Sequence, residues 1–463
     1  MKSICTLCFF VFLSNLTHSQ SDEDAFFIKE IYSESLLNGQ AYDWLHHLSE
    51  NIGGRLAGSE NAEKAVIYTE SILQSFNIDT VRLQKCEVPV WERGIVELVA
   101  VVNSSSKGTF ILNSTSLGNS TGSGPQGIFG EVIEVQSLDE LKALSPSEVS
   151  KKIVFFNRPM DPTQINSFRA YGGAVDQRGS GPALAAKKGA TGAIVRSMTN
   201  QLDDVPHTGV TVFASGDKHI PSMAITTNDA ELLSNLMDKE PVSIYMENDC
   251  FNGENKTSYN VIGEIKGSEH PDEIILVGGH LDSWDLGGGA HDDGAGCVHS
   301  MQVLSTLRAL NYTPKRTIRC VLFMNEENGL GGAKAYAKAS NEKREYHMAA
   351  IESDAGGFSP RGFGVGGSTL VFEEKFPNIR DWRNLLGSYG LELSPGGGGA
   401  DINPLKSQGG LLFGLRPDSN RYFDFHHTAN DRIAAVNQRE LHLGAAAMTS
   451  LVYLLDKYGI ESQ

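Results

Sequence analysis

The run EIILVGGHLDSWDLGGGAHDD, ending at Asp293, constrains this chain more than any other stretch. Ile274 to Val277 form a short apolar strand candidate that ends in two glycines, followed by His280 and Asp282. A glycine-rich loop follows, and Asp292-Asp293-Gly294 then opens a helix-like segment. Apolar strand, polar loop and helix start is the arrangement at which open α/β sheets carry their sites. His280 offers an imidazole and Asp292 a carboxylate, both suited to zinc. Asp282 shares a strand face with His280, and its carboxylate is expected to orient the His280 ring. The same letters also describe an ordinary strand end and helix cap, so the rest of the chain has to decide.

The rest of the chain alternates in the same way. From about Asn260, strands are expected at Asn260–Lys266, Ile274–Val277, Thr317–Met324, Ala349–Glu352 and Leu411–Leu415. Between and after them, helices are expected at Gly294–Leu310, Gly331–Ser340, Pro377–Tyr389 and Glu440–Tyr458. This alternation implies an α/β fold, a mostly parallel mixed sheet covered by helices. Residues 126–245 read as a separate small α/β unit, with strands at Ile128–Val135, Lys152–Phe156, Ala193–Val195 and Ser222–Ile225. The polar stretch 103–125 reads as surface loops and a boundary. Residues 21–125 then form N-terminal helices and the first strands of the main domain, which resumes over 246–463. Within the first part, Ser59 is a helix N-cap candidate and Arg55 reads as a solvated loop arginine.

Residues 1–20 read as a secretory signal, with Lys2, an apolar core from Ile4 to Leu13 and small or polar residues from Ser14 to Ser19. That core is too short to span a bilayer, and no later stretch is apolar enough, so a secreted or periplasmic protein is expected. The net charge of −17 argues against nucleic acid and anionic membranes as partners. Of the cysteines, Cys86, Cys250, Cys297 and Cys320 would remain after signal removal, with no CxxC pair to suggest a thiolate metal site.

Further polar clusters fall at the ends of the expected strands. TIRCVLFMNEENG places Glu326 and Glu327 just past an apolar strand, AIESDAGG places Asp354, and YFDFHHTAND places His426 and His427. Adjacent glutamates cannot face the same way, so one can ligate a metal while its neighbour reaches a water. Two histidines, three carboxylates and a spare glutamate suit two zinc ions sharing a bridging carboxylate. Such pairs, roughly 3.5–4 Å apart, clamp the attacking and leaving oxygens of a hydrolysis.

The order HLDSWD, GAHDDG, NEENG, ESDAGG and FHHT resembles the co-catalytic di-zinc aminopeptidase and carboxypeptidase family, most closely a carboxypeptidase branch of it. The resemblance extends over nearly the whole mature chain, including RLAGSENAEKA. It implies that His280 and Asp354 hold one zinc, that Glu327 and His427 hold the other, and that Asp292 bridges them. It further implies Glu326 as general base, Asp282 as partner of His280, and His426 as a structural residue. Arg432, where the family usually has a threonine after its aspartate, is a departure in the loop behind His427. The stretches KKIVFFNRP, GPALAAKKGATGAIV and IPSMAITTNDAELL resemble the protease-associated domain inserted in exported peptidases.

The branch implies short peptide substrates, chiefly dipeptides with a free C-terminal carboxylate, and a homodimer. The loop Gly396–Gly399, Ala400 and Asp401 is a candidate wall of the substrate pocket. A broader aminopeptidase of the same fold is the main alternative. A single-zinc glutaminyl cyclase and a non-catalytic peptidase-like binding protein are disfavoured by the complete ligand set.

Overall fold

The computed structural model describes residues 16–461. The secretory signal expected at 1–20 therefore lies mostly outside the described residues, and 16–20 enter the first helix, Leu16–Asn38. No helix among the described residues is long and apolar enough to cross a membrane.

Two eight-stranded sheets organise the chain. The first runs, edge to edge, Thr80–Val88, Lys256–Ile265, Arg316–Phe323, His270–His280, Tyr346–Glu352, Leu411–Pro417, Pro360–Gly366 and Glu392–Pro395. Arg316–Phe323, His270–His280, Tyr346–Glu352 and Leu411–Pro417 run parallel at its centre, and antiparallel pairings flank them. Helices cover both faces because these strands are apolar on both. Ile275 and Val277 enter the larger core with Val298, Met301, Leu451 and Leu454 of the helices Ala295–Ala309 and Gln438–Tyr458. Leu276, pointing the other way, packs with Val321, Phe323, Ala333 and Tyr336 beneath the helix Gly331–Lys343. That alternation along a continuous apolar run is the pattern of a parallel strand buried on both sides.

The second sheet runs Gly108–Leu112, Glu97–Ser104, Ser243–Asn248, Ile128–Val135, Ile153–Phe156, Gly192–Arg196, Ser222–Ile225 and Ser114–Ser116. It corrects the expected boundary at 126. Glu97–Ser104 pairs Val99 with Met246 and Val101 with Ile244, and both valines are buried in the second unit's core. The polar segment expected as loops holds two strands of this sheet, Gly108–Leu112 and Ser114–Ser116. Its Ser, Thr and Asn composition hid backbone pairing that polar side chains do not prevent.

A further difference concerns the helix expected at Pro377–Tyr389. Ser368 accepts the Val371 N–H and starts the helix at Thr369, so Pro377 falls inside Thr369–Ile379, and short turns complete the segment to Tyr389. Ser59 caps Glu60–Ser75 as expected, accepting the Ala62 N–H at 3.1 Å.

The two units share an apolar seam. Phe358, Tyr422 and Phe423, from loops of the first unit, pack into the cluster of Phe156, Met160, Ala170 and Val195 in the second. The second unit thereby presses on the loops beyond the ends of the central parallel strands.

Candidate metal centre

His280 is the last residue of its strand and is fully buried. Its Nδ1 lies 2.9 Å from the backbone carbonyl of Asp282. A carbonyl only accepts, so Nδ1 carries the proton and Nε2 presents its lone pair. Nε2 faces Asp292 Oδ1 at 3.2 Å and Asp354 Oδ1 at 3.7 Å.

The expectation for Asp282 changes here. Its carboxylate stands 3.7 Å from His280 Nδ1, outside direct hydrogen-bonding range, and the main chain orients the ring instead. The carboxylate accepts three successive amides, from Asn325 at 2.6 Å, Glu326 at 3.0 Å and Glu327 at 3.3 Å. Asp282 thus ties the end of the His280 strand to the turn that carries both glutamates. Sequence spacing showed which face Asp282 occupies but not that a neighbouring strand would deliver donors to it.

On the other side of Asp292, His427 Nε2 lies 3.3 Å from Asp292 Oδ2 and 3.3 Å from Glu327 Oε2. His426 Nε2 approaches Asp292 Oδ2 at 3.7 Å, and its ring stacks on His427 with centroids 3.5 Å apart. Of the two histidines, only His427 meets two carboxylates. His427 sits at φ +63° and is fixed from the second unit: the Thr208 N–H donates to its carbonyl at 3.0 Å, and its Nδ1 lies 3.3 Å from the Thr208 carbonyl.

The two groups therefore converge on opposite oxygens of one carboxylate. His280, Asp292 and Asp354 form one set of ligand atoms within coordination reach, and Asp292, His426 and His427 form the other. Glu326 lines a cavity of about 350 Å³ together with Asp292, Glu327, Asp354 and both histidines of the loop.

The electrostatics fit bound cations. Burial, reinforced by Asp292, pushes Glu327 up to about 7, and burial with Asp354 and Glu327 nearby holds Glu326 well above the carboxylate range. Among the described residues, no lysine or arginine pairs with Asp292, Glu326, Glu327 or Asp354. Asp292 Oδ2 is buried without a hydrogen-bond partner. Buried carboxylates lacking a cation are costly, and metal binding at such a set is coupled to their ionisation. Imidazole and carboxylate donors converging on both sides of a shared carboxylate are a donor set suited to zinc.

Supporting residues escaped sequence reasoning. Arg55, expected in solvent, is fully buried: its guanidinium donates to the carbonyls of Leu281 at 2.6 Å, Gly288 at 2.7 Å and Gly289 at 2.9 Å. It pins the glycine loop between His280 and Asp292, whose bare carbonyls supply the acceptors. Asp293 joins the strand end to the helix start by accepting the His280 and Gly296 N–H groups, each at 3.0 Å. A Cβ at Gly279 would lie 2.5 Å from Asp293 Oδ2, so the close approach requires glycine there. Asp431 accepts the His291 and Asp292 amides at 2.7 and 3.1 Å and so holds the bridging residue from behind. Arg432, the departure noted in the sequence, stays outside this network, its Nη1 3.7 Å from Glu50. Cys86, Cys250, Cys297 and Cys320 are buried free thiols.

Comparison with known proteins places the chain in a family. The model of Peptidase family M28 matches residues 260–452. Carboxypeptidase Q of Mus musculus is 33% identical over 418 residues, covering 90% of this chain and 85% of that protein. The chain belongs to peptidase family M28. As an M28 protein it is a metallopeptidase, and an enzyme of the exopeptidase class its full-length relatives represent. Among solved structures, a peptidase M28 precursor from Shewanella amazonensis superposes with a TM-score of 0.89 at 31% identity, covering 96% of this chain and 99% of that one. A zinc aminopeptidase from Bacillus subtilis shares the fold, with a TM-score of 0.63 at 22% identity, covering 89% of this M28 chain and 94% of its own.

Proposed function

We propose that this protein is a di-zinc exopeptidase that hydrolyses short peptides, chiefly dipeptides with a free C-terminal carboxylate. The observation that carries the reading is the convergence of His280 and Asp354 on one side of Asp292, and of His427 and Glu327 on the other, beside the buried Glu326. In this reading His280, Asp292 and Asp354 hold one ion, and Asp292, Glu327 and His427 hold the second. When bound, such ions polarise a scissile carbonyl and bring the pKa of a water from 15.7 to about 7.

The chain's own groups supply the rest. Glu326, raised by burial and without a lysine or arginine partner among the described residues, accepts the proton of the attacking water and delivers it to the leaving amine. Asp282 holds the Glu326 and Glu327 amides, so base and ligand keep a fixed separation. The Trp284 N–H donates to Glu327 Oε1 at 3.2 Å, which leaves Oε2 to face His427. Resemblance to the carboxypeptidases Q supports the carboxypeptidase mode. Export is proposed on the strength of the charged and apolar N-terminus.

The test is Glu326→Gln. The variant is expected to retain its metal by elemental analysis while kcat falls by about 10²–10⁴-fold, the usual contribution of a general base. Undiminished turnover in a metal-replete variant would sink the role. Release of a C-terminal residue from a dipeptide but not from its amide separates the carboxypeptidase mode from a broader aminopeptidase.

A further inference from the structure

The 350 Å³ cavity is walled on one side by the second unit, through Phe168, Tyr171, Val175, Arg178 and Val210. The metal ligands facing that wall come from the first unit, so the two units have to be held in register here. One side chain spans the join. Arg93 lies in the crossover from the first sheet's strand Thr80–Val88 to the second sheet's strand Glu97–Ser104, and it is 8% exposed.

Toward the first unit, Arg93 grips Asp285 with both prongs of its fork: Nε donates to Oδ2 at 2.8 Å and Nη2 to Oδ1 at 2.6 Å. Toward the second unit, Nη1 donates to Glu97 Oε1 at 3.1 Å, the Thr115 hydroxyl at 2.8 Å and the Ser116 carbonyl at 2.6 Å. Nη2 also reaches the Thr208 hydroxyl at 3.4 Å. Bidentate arginine–carboxylate pairs fix direction as well as distance, and a lysine has no such planar fork.

Asp285 and Thr208 each carry a group of the second ion's site. Asp285 follows Trp284, whose N–H donates to Glu327 Oε1 and whose ring lies edge-on to His427 with centroids 5.7 Å apart. The Trp284 indole is lodged against Gly118 of the second unit, where a Cβ would lie 1.9 Å from it. Thr208 donates its N–H to the His427 carbonyl, and its own carbonyl faces His427 Nδ1 at 3.3 Å. A carbonyl only accepts, so Nδ1 carries the proton and the Nε2 lone pair is turned to Asp292 and Glu327. The Thr208 hydroxyl donates to the Ser116 carbonyl at 2.7 Å, the same carbonyl that Arg93 holds. Glu327 and His427 are thus tied to one guanidinium by separate arms. His280 is held by other groups, the Asp282 carbonyl and the Asp293 carboxylate.

We propose that Arg93 is a positioning residue for the second ion: it sets the separation of Glu327 and His427, so that the join between the units controls one metal position and not the other. This rests on the di-metal reading of the site. It adds a residue that touches neither metal ligand nor cavity and acts through Asp285 and Thr208.

The experiment starts from the full chain loaded with cobalt and lowers the free cobalt with a chelator buffer. Visible absorption and cobalt retained per chain are followed for wild type, Arg93→Gln, Arg93→Lys and Asp285→Asn. In Arg93→Gln one ion should leave at about ten- to hundredfold higher free cobalt than in wild type, the usual effect of losing a ligand's supporting partner, while the other ion keeps its midpoint. The absorption of the retained ion should match that of the ion kept by His427→Ala, which lacks a ligand of the second position. Turnover lost at low free cobalt should return when free cobalt is raised. Arg93→Lys should recover part of the affinity, since it keeps the charge without the fork. If Arg93→Gln keeps both midpoints, or shifts both equally, Arg93 is a structural link only and the proposal fails alone. Should Arg93→Gln not fold, Asp285→Asn decides by the same midpoints, because its partly exposed side chain leaves a neutral acceptor in place: a shift of one ion supports the proposal, and a shift of both or of neither overturns it. Wild type that never holds a second ion would sink the di-metal reading and the proposal with it.

Discussion

The two sides of Asp292 are built differently. On the His280 side, the histidine is held within the first unit, by the strand end, the Asp282 carbonyl and Asp293, with Arg55 pinning the loop that follows. On the His427 side, the histidine sits in an irregular loop at positive φ, bonded to Thr208 of the second unit and stacked on His426, whose ring meets Phe423 of the shared apolar seam. Regular structure fixes a ligand through its own ladder, whereas a loop ligand needs an outside clamp. The second unit is therefore part of the metal centre as well as a wall of the cavity.

Phe423→Ala is the strongest way to test this asymmetry. Phe423 is buried and packs against Tyr171 and the His426 ring. Its loss should cost about 3–5 kcal/mol of stability. The metal should also leave in two steps, with the His427-side ion released at much lower chelator concentration. Loss of both ions together in a stoichiometric titration would mean that the sides are not independent.

Asp282→Asn asks the opposite question, because Asp282 serves both sides. It carries the carbonyl bonded to His280 and the carboxylate that holds the Glu327 amide. Weakening the carboxylate's bonds should lower metal affinity by about 10–100-fold, the usual effect of a ligand's supporting partner. The loss should fall on the Glu327 side, since the Asp282 carbonyl survives. A loss confined to the His280-side ion would restore the ring-orienting role read from the sequence.

An effect on stability and not on metal lies at the far end of the same sheet. His347 is buried at the start of its strand, bonded to the Tyr336 hydroxyl at 2.7 Å and Gln408 at 2.8 Å. Burial, partly offset by Gln408, pulls it down to about 4. Above pH 6.5 both folded and unfolded forms are neutral. Below it the unfolded chain takes up a proton that the folded chain refuses, so stability should fall by about 1.4 kcal/mol per pH unit until about pH 4. Urea unfolding at pH 7 and pH 5 measures this, and His347→Gln should make the fall shallower by that amount, leaving the shares of His207, His291 and His299, which burial also lowers. An unchanged slope would show that His347 does not govern it.

Much of the centre was legible because its residues follow strands of strong apolar character. Ile274–Val277, Thr317–Phe323 and Ala349–Glu352 are buried runs, and a polar residue just past such a run has few places to go but the sheet's carboxyl edge. Arg55 was misread because nothing local marks an arginine whose acceptors lie more than two hundred residues away. Glu97–Ser104 belongs to the second sheet, and Ser114–Ser116 is a strand where loops are expected, for a related reason: their partners at Ser243–Asn248 and Ser222–Ile225 are distant, and pairing partners leave no local trace.

By itself the sequence determined which residue types could hold metal, and that they recur at strand ends of a helix-covered sheet. Periodicity and ligand chemistry are local properties, carried by a few neighbouring letters. Only the tertiary structure decided that Asp282 serves the glutamate turn, that His427 rather than His426 meets two carboxylates, and that Arg178 enters the cavity. Those facts depend on which distant segments arrive at the same point, and burial then fixes the outcome, because a buried donor or charge has to find a partner wherever the fold supplies one.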